Sequence, residues 1–261
     1  MASNIIIKKG PTTIVVSPEY SQTADFIASL PAAFANGEGR PIHQGRNEIR
    51  EFEVCGLRLA AKRYKTANAF QRVGYTLFSR TKARKAFEFA AEMRRRGIDT
   101  PREVAYIEQK RHGLFAKGYF VCLECNDPPA FHKLVEEPQF DKNLASALAA
   151  FIAKMHSKGI LHGDLNLGNF LYRPDGKGSF SFTVIDTNRS KFCDGWPTRQ
   201  QCLRNLVTTT HRRDLFRFIA GRYAEQRGWQ PQPAIAEAEA LLDDFEQRHR
   251  RKDIMKKAFR H

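Results

Sequence analysis

Three side chains in the second half of the chain stand at a spacing that phosphoryl transfer would use. Asp164 and Asn169 lie in His162-Gly163-Asp164-Leu165-Asn166-Leu167-Gly168-Asn169, and Asp186 closes Val184-Ile185-Asp186. Moving a phosphoryl group to a hydroxyl needs a carboxylate that orients the hydroxyl and accepts its proton. It also needs oxygen ligands that hold Mg2+ against the phosphates. Asp164 follows a predicted helix and a two-residue apolar piece, in a loop where it can face a cleft. Asn169 comes one loop later as a neutral oxygen ligand, and Asp186 ends an apolar strand with its carboxylate available to metal. A single Asp or Asn in a loop is accounted for by turn and cap formation. The ordered set, each member in its own structural context, is what carries the chemistry. His162 is expected to pack and hydrogen-bond this loop rather than to exchange protons.

Such a site also needs a cation for the nucleotide phosphates. Leu57-Arg58-Leu59-Ala60-Ala61-Lys62 puts Lys62 at the end of a predicted strand, behind the apolar Ala60-Ala61 pair, with Arg63 and Lys65 as close competitors. Its partner would be a carboxylate on the next helix, where Glu88 and Glu92 lie one turn apart on one face. A solvated-helix reading suits Glu92 better, because Arg94-Arg95-Arg96 follow it. No G-x-G-x-x-G precedes Lys62. Gly45-Arg46-Asn47-Glu48 stands there instead, either to cover phosphates through backbone N–H groups and Arg46 or as an ordinary turn. Cys122-Leu123-Glu124-Cys125 falls where an adenine-binding hinge would lie, with Glu124 acting through backbone groups. The same pair fits a C-x-x-C pattern, but no second Cys or His pair stands nearby, so two buried thiols are expected rather than a zinc site.

The elements that must position these residues follow from periodicity. Strands are predicted near Ile5–Lys8, Thr13–Ser17, Glu48–Val54 and Leu57–Tyr64, with a tight hairpin at Cys55-Gly56. A helix is predicted from Ser79 to Arg96, ended by Gly97, and strands again over Glu103–Glu108 and Gly118–Glu124. This makes a mostly antiparallel sheet carrying one helix. After Asn126-Asp127-Pro128-Pro129 the character changes. A helix is predicted over Asn143–Lys158, closed by Gly159, then short strands over Asn169–Tyr172 and Phe180–Ile185. From about Gln200 the chain reads as helical, with a break at Gly228–Pro233. The fold class is therefore α+β and bilobal, a β-rich nucleotide-binding lobe over residues 1–125 and a helical catalytic lobe over 126–261.

With 261 residues, 42% apolar and 27% charged, the chain has the balance of a folded globular protein. No stretch approaches ~20 uninterrupted apolar residues. The N-terminus has its charges after a very short apolar run, the wrong order for a signal peptide. Five scattered cysteines do not make a disulfide framework, and a cytoplasmic protein is expected. The net charge of +15 implies an anionic partner: nucleic acid, an acidic membrane surface or phosphorylated substrates. Seven Lys or Arg lie between Arg248 and the C-terminus, around Ile254, Met255 and Phe259. That stretch reads either as a surface for an anionic membrane, through Arg250, Arg251, Lys252, Lys256 and Lys257, or as a last helix docked through its apolar residues.

Taken together these residues resemble the lipopolysaccharide kinase family, and within it the 3-deoxy-D-manno-octulosonic acid (Kdo) kinases, which have a protein-kinase-like fold. The resemblance runs from about Gly45 to Ile185. The family loop His-x-Asp-Leu-Asn-x-x-Asn stands as His162-Gly-Asp164-Leu-Asn166-Leu-Gly-Asn169. Gly45-Arg46 looks like a Gly-Arg element before the first lobe strands, and Glu88-Phe89 with Gly97-Ile-Asp-Thr-Pro101 looks like the family's Glu-Phe helix and Gly-x-x-x-Pro. That last likeness favours Glu88 as the partner of Lys62. The resemblance implies transfer of the ATP γ-phosphate to a sugar hydroxyl, of Kdo or heptose, on a lipopolysaccharide precursor glycolipid at the cytoplasmic face of the inner membrane. It implies ATP and Mg2+ as cofactors, Asp164 as base, Asn169 and Asp186 on metal, and Lys62 and Glu88 at the nucleotide. The metal segment reads Ile185-Asp186-Thr-Asn-Arg-Ser, without Phe-Gly after the Asp, so regulation by a protein-kinase-type activation loop is not expected. A small atypical protein kinase and an aminoglycoside-type phosphotransferase share the catalytic set. A nucleic-acid-binding protein would explain the charge and leave that set unaccounted for, so no nucleic acid is expected.

Overall fold

The computed structural model describes residues 3–66, 68–77 and 79–258. The chain divides into two compact units, Met1–Arg96 with Thr100–Asn126, and Gly97–Asp99 with Asp127–His261.

The first unit is built on an antiparallel sheet of seven strands: β1 (Ile5–Lys9), β2 (Thr12–Val16), β3 (Arg40–Gln44), β4 (Glu48–Val54), β5 (Leu57–Arg63), β6 (Glu103–Arg111) and β7 (Leu114–Leu123). Their order in the sheet is β1-β2-β6-β7-β5-β4-β3. The β4–β5 hairpin turns on Cys55 and Gly56, with φ of 52° and 73°. Two successive left-handed residues match the twist of the flanking strands. Period-two alternation then sorts β5 by face. Leu59 and Ala61 are fully buried on one face, while Lys62 and Tyr64 belong to the other.

The expectation of one helix on this sheet needs correction, because each face carries one. Helix α1 (Ala24–Ala35) lays Ile27, Leu30 and Phe34 against Phe52, Leu59 and Val121. Pro31 sits inside it and hides the helical signal. Proline removes one backbone donor, and burial of the apolar stripe offsets that loss. A further helix, α2 (Ala69–Leu77), and strand β3 also lie outside the expected set. The predicted helix is present as α3 (Lys82–Arg95), its first turn capped by the Thr81 hydroxyl, which accepts from the Arg84 N–H. Gly97 ends it at φ 76°. Ala83 and Phe87 of α3 pack on Val15, Tyr64 and Tyr106, the face that also carries Lys62.

In the second unit α4 (Lys142–Ser157) starts where the Asp141 carboxylate accepts from the N–H groups of Asn143 and Leu144. Three more helices follow, α5 (Arg199–Leu206), α6 (Arg213–Gln226) and α7 (Pro231–Ala258). A capping box formed by Thr198 and Gln201 opens α5. Two small antiparallel pairs interrupt the helices, β8 (Ile160–Leu161) with β11 (Lys191–Phe192), and β9 (Phe170–Pro174) with β10 (Phe180–Val184). The Gly97–Asp99 segment joins this unit, the Val184 N–H donating to the Asp99 carbonyl at 2.9 Å. Among the described side chains of α7 the buried ones are Ala234, Ala238 and Leu242. Further on, Ile254 and Met255 are 66% and 58% exposed. These two residues therefore do not dock the helix. The side chains of Lys256 and Lys257, and Phe259 altogether, lie outside the described residues.

Candidate functional site

The second unit gathers Asp164, Asn169 and Asp186 through short local devices. Gly159, at φ 71°, ends α4 and turns the chain into β8. The loop that follows is held by its own polar groups. The Asn166 side chain accepts from the Gly168 N–H at 2.8 Å, and the Asn169 N–H donates to the Asn166 carbonyl at 2.8 Å. The Asn169 side-chain Nδ2 donates to the Asp164 carbonyl at 3.0 Å, which leaves its Oδ1 as the atom offered to a cation. Strand β10 then delivers Asp186, and the two loops are tied directly. The Ile185 N–H donates to the Asn169 carbonyl at 3.0 Å, and His162 Nε2 donates to the Ile185 carbonyl at 3.1 Å.

Asp186 adopts φ 56° and ψ 45°, a left-handed conformation uncommon for a residue other than glycine. Its Oδ1 accepts from Asn188 Nδ2 at 2.6 Å. A backbone held in a sparsely populated region at the end of a strand aims one carboxylate and is a feature of functional sites. Asp164, by contrast, is partly open to solvent. Its Oδ2 lies 3.3 Å from Arg189 Nη1, with the two side chains 34% and 61% exposed. Gly163 makes that approach feasible, because a Cβ there would fall on the carbonyl oxygen of Arg189 and 2.9 Å from its Cβ.

His162 is fully buried, and burial pushes its imidazole below the usual histidine range. Neutral, hydrogen-bonded through Nε2 and with Nδ1 buried and unpartnered, it packs inside the loop as expected. Support from α5 and the turn that follows it was not legible in the sequence. The Thr208 hydroxyl accepts from the Leu165 N–H at 3.0 Å, and Asn205 Nδ2 reaches the His162 carbonyl at 3.5 Å. Arg189 was equally missed. Its one signal is a position three residues after Asp186.

The remaining candidates belong to the first unit. Lys62 sits inside the sheet, opposite Ile49 on β4 and Phe120 on β7, with its ammonium 5.4 Å from the Tyr64 ring. Its competitors differ. Arg63 is ion-paired to Glu48, and Lys65 is exposed beyond the strand end. The Glu88 carboxylate lies between two arginines, Oε2 at 2.9 Å from Arg80 Nη1 and Oε1 at 2.7 Å from Arg84 Nε. A Lys62 ion pair must therefore compete with two guanidinium groups. Glu92 is held by Arg95 and Arg96, whose hydrogen bonds bring its carboxyl down to about 2.

Gly45 and Arg46 form the tip of the β3–β4 hairpin, closed by a 3.2 Å bond from the Gly45 N–H to the Asn47 carbonyl. Lys62 lies in register with Ile49, so this tip stands at the same end of the sheet. Glu124 follows β7, its N–H donating to the Arg58 carbonyl at 2.9 Å. Its side chain is 4% exposed and paired with Arg58 at 3.0 Å and Arg40 at 3.5 Å, so a ligand role falls to its backbone carbonyl rather than to the carboxylate. Burial pushes the Cys122 thiol up to about 12, which keeps it protonated and a poor metal ligand.

Comparison with known proteins follows the same residues. The model of the lipopolysaccharide kinase (Kdo/WaaP) family matches residues 43–215. A 3-deoxy-D-manno-octulosonic acid kinase of Vibrio vulnificus is 22% identical over 180 residues, 67% of this chain and 74% of that protein. The EKC/KEOPS complex subunit BUD32 of Cryptococcus neoformans is 27% identical over 123 residues, which span 43% of this chain and only 40% of that protein. Among solved structures, WaaP in complex with acyl carrier protein superposes with a TM-score of 0.59 at 17% identity, covering 91% of this chain and 98% of that one. An aminoglycoside-3'-phosphotransferase of type VIII gives 0.53 at 16% identity, covering 86% and 99%. The fold is thus the protein-kinase-like α+β fold, with a β-rich first part and a helical second part.

Proposed function

The chain belongs to the lipopolysaccharide kinase (Kdo/WaaP) family, and on that premise we propose that it transfers the γ-phosphate of ATP to a sugar hydroxyl, of Kdo or heptose, on a lipopolysaccharide inner-core or lipid A precursor. The observation that carries this reading is the tied pair of loops in which Asn169 holds the Asp164 carbonyl while Asp186 is aimed by its left-handed backbone. The likeness to the Vibrio vulnificus Kdo kinase supports the sugar acceptor.

The donor set fits a hard cation. Asn169 and Asp186 offer oxygen and neither nitrogen nor sulfur, the pattern of Mg2+ sites in which phosphates and water complete the shell. Bound Mg2+ and ATP supply the phosphoryl group and neutralise its charge. The chain's own residues do the rest. Asp164 orients the acceptor hydroxyl and takes its proton as the new oxygen–phosphorus bond forms and ADP leaves. Lys62 supplies the cation for the nucleotide phosphates, and Glu88, once released from Arg80 and Arg84, orients it. The hairpin tip at Gly45-Arg46 covers the phosphates, and backbone groups at Glu124 meet the base.

The same reading places the protein peripherally at the cytoplasmic face of the inner membrane. Among the described residues no helix is long and apolar enough to cross a membrane. Arg250, Arg251 and Lys252 flank the exposed Ile254 and Met255, an arrangement suited to an anionic surface. The deciding experiment compares phosphate transfer from ATP to purified core glycolipid, to a generic protein and to an aminoglycoside. Selective labelling of the glycolipid is expected. Labelling of protein or aminoglycoside in its place would overturn the sugar assignment.

A further inference from the structure

We propose that Arg189 is a catalytic residue of this site, its guanidinium resting on Asp164 in the structure and binding the transferring phosphoryl group during turnover. The inference rests on the phosphotransferase reading above and adds a residue to it.

The catalytic loop itself carries no cation. From His162 to Asn169 the one side chain able to carry positive charge is His162, which is buried and held neutral by that burial. Asn166, two residues after the base, is uncharged, and its side-chain oxygen is spent on the Gly168 N–H. Asn169 spends its amide N–H on the Asp164 carbonyl. Yet phosphoryl transfer spreads negative charge over the moving group, and a guanidinium placed there raises the rate by ~10^3–10^5. Arg189 brings a cation to the loop, 3.3 Å from the base that must sit beside the attacking oxygen.

Its anchoring separates backbone from side chain. The backbone is pinned. Arg189 ends a 3-10 turn closed by the Ser190 N–H on the Thr187 carbonyl at 2.9 Å, and β11 follows at once on β8. On its other side Gly163 admits the Arg189 carbonyl where any side chain would collide. The guanidinium, in contrast, is 61% exposed and meets Asp164 through Nη1. An ion pair this open to water is weakly held, so a phosphate dianion, which a guanidinium binds in forked geometry, readily takes the carboxylate's place. That exchange also frees Asp164 to accept a proton. In the step itself the acceptor oxygen bonds to the γ-phosphorus and the β–γ bridging bond breaks, its electron pair leaving on ADP. The hydroxyl proton passes to Asp164. Arg189 changes no covalent bond and balances charge.

The test uses full-length Arg189→Gln, Arg189→Lys and Arg189→Ala alongside Asp164→Asn, each checked for an unaltered melting temperature. Calorimetry with Mg2+ and ADP, then with Mg2+, ADP and aluminium fluoride, separates ground-state binding from binding of a phosphoryl mimic. Arg189→Gln is expected to keep ADP affinity within about threefold, to lose ~100-fold or more for the aluminium fluoride complex, and to lose kcat in parallel at nearly constant KM for ATP. Added guanidinium should restore part of the Arg189→Ala rate and none of the Asp164→Asn rate. Arg189→Lys, with its charge kept and its fork lost, should fall between. If Arg189→Gln binds the aluminium fluoride complex as wild type does, Arg189 is a surface partner of Asp164 and the inference is wrong, whatever Asp164→Asn does. If the wild type itself transfers phosphate to no acceptor, the phosphotransferase reading fails, and this inference with it.

Discussion

Acidification from pH 7 towards pH 4 is expected to destabilise the second unit through one buried imidazole, His156. Its Nδ1 accepts from the Tyr223 hydroxyl at 2.7 Å, and its Nε2 donates to Asn205 Oδ1 at 3.1 Å. Tyr223 in turn accepts from Arg227 Nη1 at 3.0 Å, and Asn205 Nδ2 ends the chain on the His162 carbonyl. The bonds to the two imidazole nitrogens, one accepting and one donating, are both kept only while His156 is neutral. Burial lowers its pKa from 6.5 to about 4, with the Asn205 bond opposing and the Arg227 charge assisting that shift. The unfolded chain therefore takes up the proton first as pH falls. The stability due to neutral burial is complete above 6.5, declines below it, and is gone once pH passes the folded value near 4. At ~1.4 kcal/mol per pH unit the whole gap is roughly 3 kcal/mol, of which about 2 disappears between pH 7 and pH 5. That interval lies above the titration of ordinary carboxylates, so it isolates histidine. His162, lowered by burial in the same direction, adds to the wild-type slope. Urea midpoints from pH 7 to pH 5 for wild type and His156→Gln provide the measure, because glutamine keeps a donor and an acceptor without titrating. The wild type should lose about 2 kcal/mol more than the variant across the interval. Parallel slopes for the two proteins would refute the reasoning, since no other change distinguishes their proton uptake.

Asp164→Asn should lower the transfer rate by ~10^2–10^4-fold with nucleotide binding nearly intact, as steady-state kinetics with calorimetric titration will show. Asp186→Ala should abolish Mg2+-dependent ATP binding and Asn169→Ala should weaken it; equal ATP affinity with and without Mg2+ in wild type would remove both from a metal site. Neutralising Arg250, Arg251, Lys252, Lys256 and Lys257 together should reduce co-sedimentation with anionic vesicles, at ~1 kcal/mol per charge near the surface, and added salt should reduce it in the wild type. Undiminished binding by the five-fold variant would place the membrane contact elsewhere.

Much of the frame is local chemistry and was legible in the residues. Loop and strand lengths place Asp164 after a short apolar piece and Asp186 at the end of a strand, because each step depends on neighbours a few residues apart, while Asn169, expected to open a strand, closes a 3-10 turn just before it. Gly97 and Gly159 mark helix ends for the same reason, whereas the N-caps Thr81 and Asp141 became visible only in the structure. The Cys55-Gly56 hairpin follows from local twist, although Cys55 is no turn former by type. What local pattern could not decide was the choice of partner across distance. Helix α1 carries Pro31, so its existence depended on a sheet face that needed covering, which no window of the sequence contains. Glu88 was assigned from the sequence to Lys62, whereas its own helix and the turn before it present Arg84 and Arg80 at closer reach. Arg189 and Asp164 stand 25 residues apart, and their contact exists because Gly163 has no side chain to keep the two loops apart. Asn205 and Thr208 reach the catalytic loop from 43 positions away because α5 packs beneath it. Residue type and spacing determine which chemistry the chain can offer. Only the packing of one loop on another decides which charges face it, since side-chain pairing is won by the nearest partner in space and leaves no period in the sequence.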